Sequence, residues 1–104
     1  MKKKSNKLNK LERNRFSLFS DNKNKCYFCP RETELTWHEI YSGTNRQNSM
    51  KYGLCLRMCI VCHRQLQEDK NFNEIWHEKG QKAFIEHYPN LEFVKIFHRN
   101  YLFK

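Results

Sequence analysis

Two Cys-x-x-Cys pairs, Cys26-Tyr27-Phe28-Cys29 and Cys59-Ile60-Val61-Cys62, constrain this chain more than any other feature. Each pair folds into a tight turn that presents two sulfurs to one ion. Two pairs complete the four soft ligands of a tetrahedral structural zinc site. Residues 30–58 lie between them, enough for a hairpin that leaves the ion and returns to it. Pro30 after the first pair and His63 after the second fit the ends of such knuckles. A redox role for a Cys-x-x-Cys needs a thioredoxin-like βαβ setting, which the pattern lacks. Cys55 fits no ligand spacing and is expected in the core.

A metal staple suits the rest of the composition. The chain has 104 residues, 30% of them charged, so it is expected to form one domain with a small core. Loss of the metal is expected to cost most of the fold. No apolar run is long enough to span a bilayer, and the opening Met-Lys-Lys-Lys has no apolar h-region. A cytoplasmic address with no membrane partner is the expectation. In that reducing setting an odd count of five cysteines argues for metal over disulfides.

The net charge of +9 is unevenly placed: residues 1–64 hold 14 Lys/Arg against 5 Asp/Glu, and residues 65–104 hold 6 against 6. Excess positive charge confined to the metal-bearing part points to a polyanion, nucleic acid by default. For the first ten residues, Lys2, Lys3 and Lys4 included, a solubilising tail is the competing reading.

The elements read as follows. Residues 1–25 form a basic lead-in, frayed or helical only on contact up to Arg13, with a short strand over Arg13–Ser20 and a polar turn over Asp21–Lys25. Residues 26–104 form a single domain. Leu35–Tyr41 and Leu54–Met58 are rich in β-formers and read as paired strands around a polar loop, Ser42–Ser49. The second knuckle opens a helix towards Lys70. A helical part occupies 73–104. A helix over 73–88 is marked by Phe72, Ile75, Trp76, Gly80, Ala83, Phe84 and Tyr88, and is broken by Pro89-Asn90. A last short helix follows, with Phe93, Val94 and Phe97 inward. Trp37 and Trp76 are expected in the core, His77 and His87 on the surface, and His98 in a turn.

Zinc alone requires neither His38-Glu39-Ile40 on the first strand nor His63 at the helix start. With the knuckles, with Trp37 and Gly43-Thr44-Asn45-Arg46, Ser49 and Gly53, and with the ending Lys95-Ile96-Phe97 and Arg99-Asn100-Tyr101-Leu102, they give a chain that resembles the HNH endonuclease family. The nearest look-alikes are its small members encoded by phages of Gram-positive bacteria. The resemblance covers about Leu11 to Leu102. It implies an α+β fold: a small zinc-stapled ββα-metal (HNH-like) domain with additional C-terminal helices, in a phage or prophage protein within a bacterial host cell. It also implies a metal-dependent endonuclease or nickase that hydrolyses DNA phosphodiester bonds.

Carried over position by position, His38 matches a ligand of the catalytic divalent cation, Mg²⁺ or Mn²⁺, Glu39 the general base and His63 the second cation ligand. In a second assignment His38 is the base, and Glu39 or a helix residue holds the cation. Arg46, Arg57, Arg64, Lys51 and Asn45 are the candidate contacts to double-stranded or branched DNA.

The chain departs from the family at three places. Its base is Glu39 where His is usual, Gln67 stands where a further helix His often lies, and Tyr52-Gly53-Leu54 replaces the family's middle Asn. The alternative is therefore a degenerate HNH-fold module that binds DNA or a protein partner, such as a recombination or defence factor, without cutting. A third reading, a zinc-knuckle RNA binder, wants an exposed aromatic platform that the sequence does not reveal.

Overall fold

The computed structural model describes residues 6–102. Lys2, Lys3 and Lys4 lie outside that range. The elements run α1 (Asn6–Arg13), β1 (Leu35–Glu39), a 3₁₀ turn (Gly43–Asn45), α2 (Arg46–Tyr52), β2 (Cys55–Cys59), α3 (Ile60–Leu66), α4 (Lys70–His87) and α5 (Phe93–Phe97). The fold is mixed α and β around one two-stranded antiparallel sheet.

The strands pair with Leu35 opposite Cys59, Thr36 opposite Met58, Trp37 opposite Arg57, His38 opposite Leu56 and Glu39 opposite Cys55. Side chains alternate between faces along a strand. One face therefore carries Thr36, His38, Leu56 and Met58, and the other carries Trp37, Glu39, Cys55 and Arg57. The first face joins the core of Ile40, Tyr41, Leu54, Leu56, Met58, Phe72, Trp76, Phe84, Phe93 and Phe97. Tyr41, Phe84 and Phe97 are among its largest fully buried members.

Local chemistry sets the element ends. The Cys59 side chain caps α3 by accepting from Cys62 N, so a knuckle turn and a helix start are one structure. Asp69 caps α4 by accepting from Phe72 N at 2.9 Å, which starts that helix at Lys70, three residues ahead of the sequence expectation. Gly53 ends α2 at φ 76°, and the Phe16 ring fills the space where a Cβ would stand.

Several expectations need correction. Arg13–Ser20 forms no strand: Arg15 is drawn to Glu39 and Phe16 to Gly53, and Leu18 N donates to Gly53 O. The stretch read as a polar loop, Ser42–Ser49, is a 3₁₀ turn and most of α2. Its amides tie it to α5, Asn45 to Phe97 O and Asn48 to Ile96 O. Val94 and Ile75 are exposed, because their helices turn narrower faces inward than the apolar pattern implies. Trp37 is half-buried beneath the Arg57 guanidinium. His77 is half-buried, its ring stacked on Tyr41 at 5.3 Å. Cys55 is fully buried and His98 ends α5 in the left-handed region, both as expected.

Candidate metal centre and histidine cleft

The hairpin brings the two knuckles together. The sulfurs of Cys26, Cys29, Cys59 and Cys62 all lie within 4.8 Å of one another, and Cys29 Sγ is 3.7 Å from Cys59 Sγ. Backbone N–H groups aim at them: Phe28 N donates to Cys26 Sγ at 3.4 Å, and Cys62 N to Cys59 Sγ at 3.5 Å. The Cys62 N–H, with help from the neighbouring thiols, brings the Cys59 thiol down to about 6. Burial, followed by the other thiols, pushes Cys62 up to about 12. Four sulfurs this close cannot all ionise unaided, whereas a divalent cation stabilises four thiolates together. The donor set and spacing fit a structural metal such as zinc. Among the described residues this is the one cluster of three or more His, Cys, Asp or Glu ligand atoms at such range.

The same hairpin and helix bring His38 and His63 together, their ring centres 5.3 Å apart and nearly perpendicular. Thr36 orients His63. Its hydroxyl donates to Met58 O at 3.0 Å, and its oxygen lies 2.8 Å from His63 Nδ1. With that hydroxyl proton already used, Nδ1–H is the donor, which leaves the His63 Nε2 lone pair free. His38 is 9% exposed, and its Nε2 is buried without a hydrogen-bond partner. Burial first, then His63 and His77, lowers its pKa to about 4, so the ring is neutral near pH 7. The two rings open on a cleft of about 500 Å³ that also takes in Gln67, Glu68, Asn73 and His77.

Glu39 borders this cleft, but strand alternation turns its carboxylate to the far side of the sheet. There Oε1 lies 2.6 Å from Arg15 Nη2 and 3.5 Å from Arg46 Nε, and Arg46 also approaches Glu12 at 3.8 Å. The other candidate contacts are scattered. Arg57 donates to Lys23 O and covers Trp37, Lys51 lies over the Tyr52 ring, and Arg64 is exposed on α3. The Asn45 amide is engaged with Phe97 O.

Three contributors escaped the sequence reading. Thr36 had a signal, since a residue two before His38 must share its face. Arg15 and His77 had none, because their places depend on contacts across 24 and 37 residues, to Glu39 and to Ile40 O. Comparison with family models, with curated proteins and with solved structures yields no match for this chain.

Proposed function

We propose that this protein is a metal-dependent DNA endonuclease or nickase of the HNH type. The carrying observation is that a four-cysteine clamp joins the strand of His38 to the helix of His63, leaving two imidazoles with ring centres 5.3 Å apart over a cleft. Zinc is the structural ion that four thiolates favour. The orphaned His38 Nε2 and the free His63 Nε2 fit a second divalent cation. Imidazole donors favour Mn²⁺ over the oxygen-seeking Mg²⁺. When bound, that cation supplies charge neutralisation at the phosphate and its leaving oxygen.

The chain's own groups do the rest. Thr36 fixes the His63 tautomer, and Arg46 and Arg15 attract the phosphodiester. A phosphate that takes over these guanidiniums frees Glu39, the last residue of β1, to turn from the far face to the cleft it borders, where its carboxylate accepts the proton of the attacking water. Exposed Arg64 and Lys51 add backbone attraction that carries no sequence information. The context the resemblance implies is a phage or prophage protein in the bacterial cytoplasm. Among the described residues no helix is long and apolar enough to cross a membrane.

One observation favours the binding-module reading: the Glu39 carboxylate already accepts from Arg15, is ion-paired with Arg46, and is turned from the imidazoles. In that reading the cluster docks DNA or a protein partner without cutting. The two part company when zinc-loaded protein is incubated with supercoiled plasmid and with branched DNA, in Mg²⁺, Mn²⁺ or EDTA. The nuclease gives cation-dependent nicks that His63→Ala abolishes. Salt-sensitive binding with no cutting on either substrate supports the module instead.

A further inference from the structure

Tyr27 and Phe28 sit inside the first knuckle, between two metal-ligating cysteines, where packing would hide them if they served only the core. They are instead 42% and 37% exposed. The knuckle turn holds them rigidly, through Tyr27 N to Arg57 O at 2.8 Å and Phe28 N to Cys26 Sγ. Their rings meet each other at 5.0 Å, and both meet Trp76, at 5.7 and 5.9 Å. All three contacts are edge-to-face, so none of them places either ring in a parallel stack. Phe28 also touches Phe72, and Phe72 touches His38 at 5.7 Å, so one ring separates the exposed pair from the cleft.

Cations border the same patch. The Lys79 ammonium lies over Trp76 at 4.8 Å, and exposed Lys25 precedes the knuckle. Rigid, partly exposed aromatic rings set among positive side chains have the chemistry of a base-stacking platform, which takes unpaired bases of any sequence and attracts their phosphates.

We propose that Tyr27 and Phe28 stack unpaired bases of single-stranded DNA beside the His38–His63 cleft. The substrate of this protein is then DNA with a single-stranded or splayed segment, not uninterrupted duplex. The inference rests on the nuclease reading for the word substrate, but the platform is testable by binding alone. A duplex offers its phosphates while its bases stay stacked on one another, so it gains nothing from the two rings. Lysines are depleted at protein–protein interfaces, so the Lys25 and Lys79 border favours a polyanion over a protein partner.

The test uses zinc-loaded protein without added divalent cation, so that nothing is cut. Anisotropy titrations compare labelled oligothymidine with a duplex of equal phosphate number, for wild type and for the Tyr27→Ala/Phe28→Ala double variant. Zinc content and circular dichroism verify the fold. Wild type is expected to favour the single strand by about tenfold or more, and the double variant to lose roughly that preference while keeping duplex affinity. Tyr27→Trp should retain the preference. A fluorescent purine analogue within the strand should be quenched by wild type, a readout that stands even if the double variant fails to fold.

Equal affinity of wild type for the two DNAs, an unchanged preference in the double variant, or no quenching overturns the platform. Stacking without cutting would count against the nuclease alone, and cutting of plain duplex untouched by the double variant would count against the platform alone.

Discussion

At the residue scale, the feature that sets this molecule apart is His38, a buried ring whose Nε2 has no partner. Such a nitrogen costs stability, and a buried polar atom left without a partner is characteristic of a site kept for chemistry. Replacement of His38 by Leu should therefore raise the unfolding free energy by about 1 kcal/mol at neutral pH without added divalent cation, while it abolishes any cutting. Denaturant titration and the plasmid assay read the two effects, and a less stable Leu variant would contradict the account.

The same ring gives a pH dependence with a definite sign. Its pKa falls from 6.5 in the open chain to about 4 in the fold, so the unfolded state binds the extra proton between those values. Stability from this group is fully present above about pH 6.5, declines as the pH falls through that window, and levels off below about 4. The loss is at most about 3 kcal/mol. The His38→Leu variant carries the same cysteines, so the difference between its pH curve and that of wild type isolates the histidine. Parallel curves would show that His38 is not a buried neutral base.

At the element scale, the ion pairs of Arg15 and Arg46 on Glu39 pin α2 and the segment after α1 to the back of the sheet. Arg15 and Glu39 are largely buried, 16% and 15% exposed in their side chains. Arg15→Ala leaves Glu39 short of a charge partner and should destabilise the fold by about 2 kcal/mol. Backbone amides of α1 should then exchange faster, as followed by hydrogen exchange. Unchanged exchange would mean that α1 is held by other contacts. Packing of α4 on the hairpin has its own probe at Gly80, where a Cβ would stand 2.6 Å from Tyr41 Oη, and Tyr41 is fixed by donating to His77 O. Gly80→Ala should cost about 1–3 kcal/mol in thermal or chemical unfolding.

These elements also mark what a sequence can and cannot reveal here. The hairpin, the knuckles and the long helix were legible because their signals are local: Cys spacing, β-formers and helical periodicity. The pairing of His38 with His63 followed from the clamp. The helix α2 was hidden because its polar residues look like a loop, and they are polar because Asn45 and Asn48 bond α5 carbonyls about fifty residues away. The orientation of Glu39 was readable in principle from strand alternation, but the attraction of Arg15 from a segment read as a strand was not.

On the scale of the whole molecule, one clamp does the work of a larger core. Residues 14–34 hold little regular structure, and the sheet has two strands of five residues each. A two-stranded ribbon is marginal without support. Chelation of the structural metal should therefore collapse the cooperative unfolding transition, and re-addition of Zn²⁺ should restore it, as followed by circular dichroism. A transition that survives chelation would show that the aromatic core suffices.

In the proposed nuclease, this clamp makes His38 and His63 into a binding site for a second divalent cation. Mn²⁺ titration of the zinc-loaded protein, with free Mn²⁺ counted by electron paramagnetic resonance, addresses it without any assumption about the substrate. One bound Mn²⁺ per chain is expected, lost in His63→Ala and in His38→Leu while the zinc content stays the same. No Mn²⁺ uptake by wild type, or equal uptake by either variant, would contradict it.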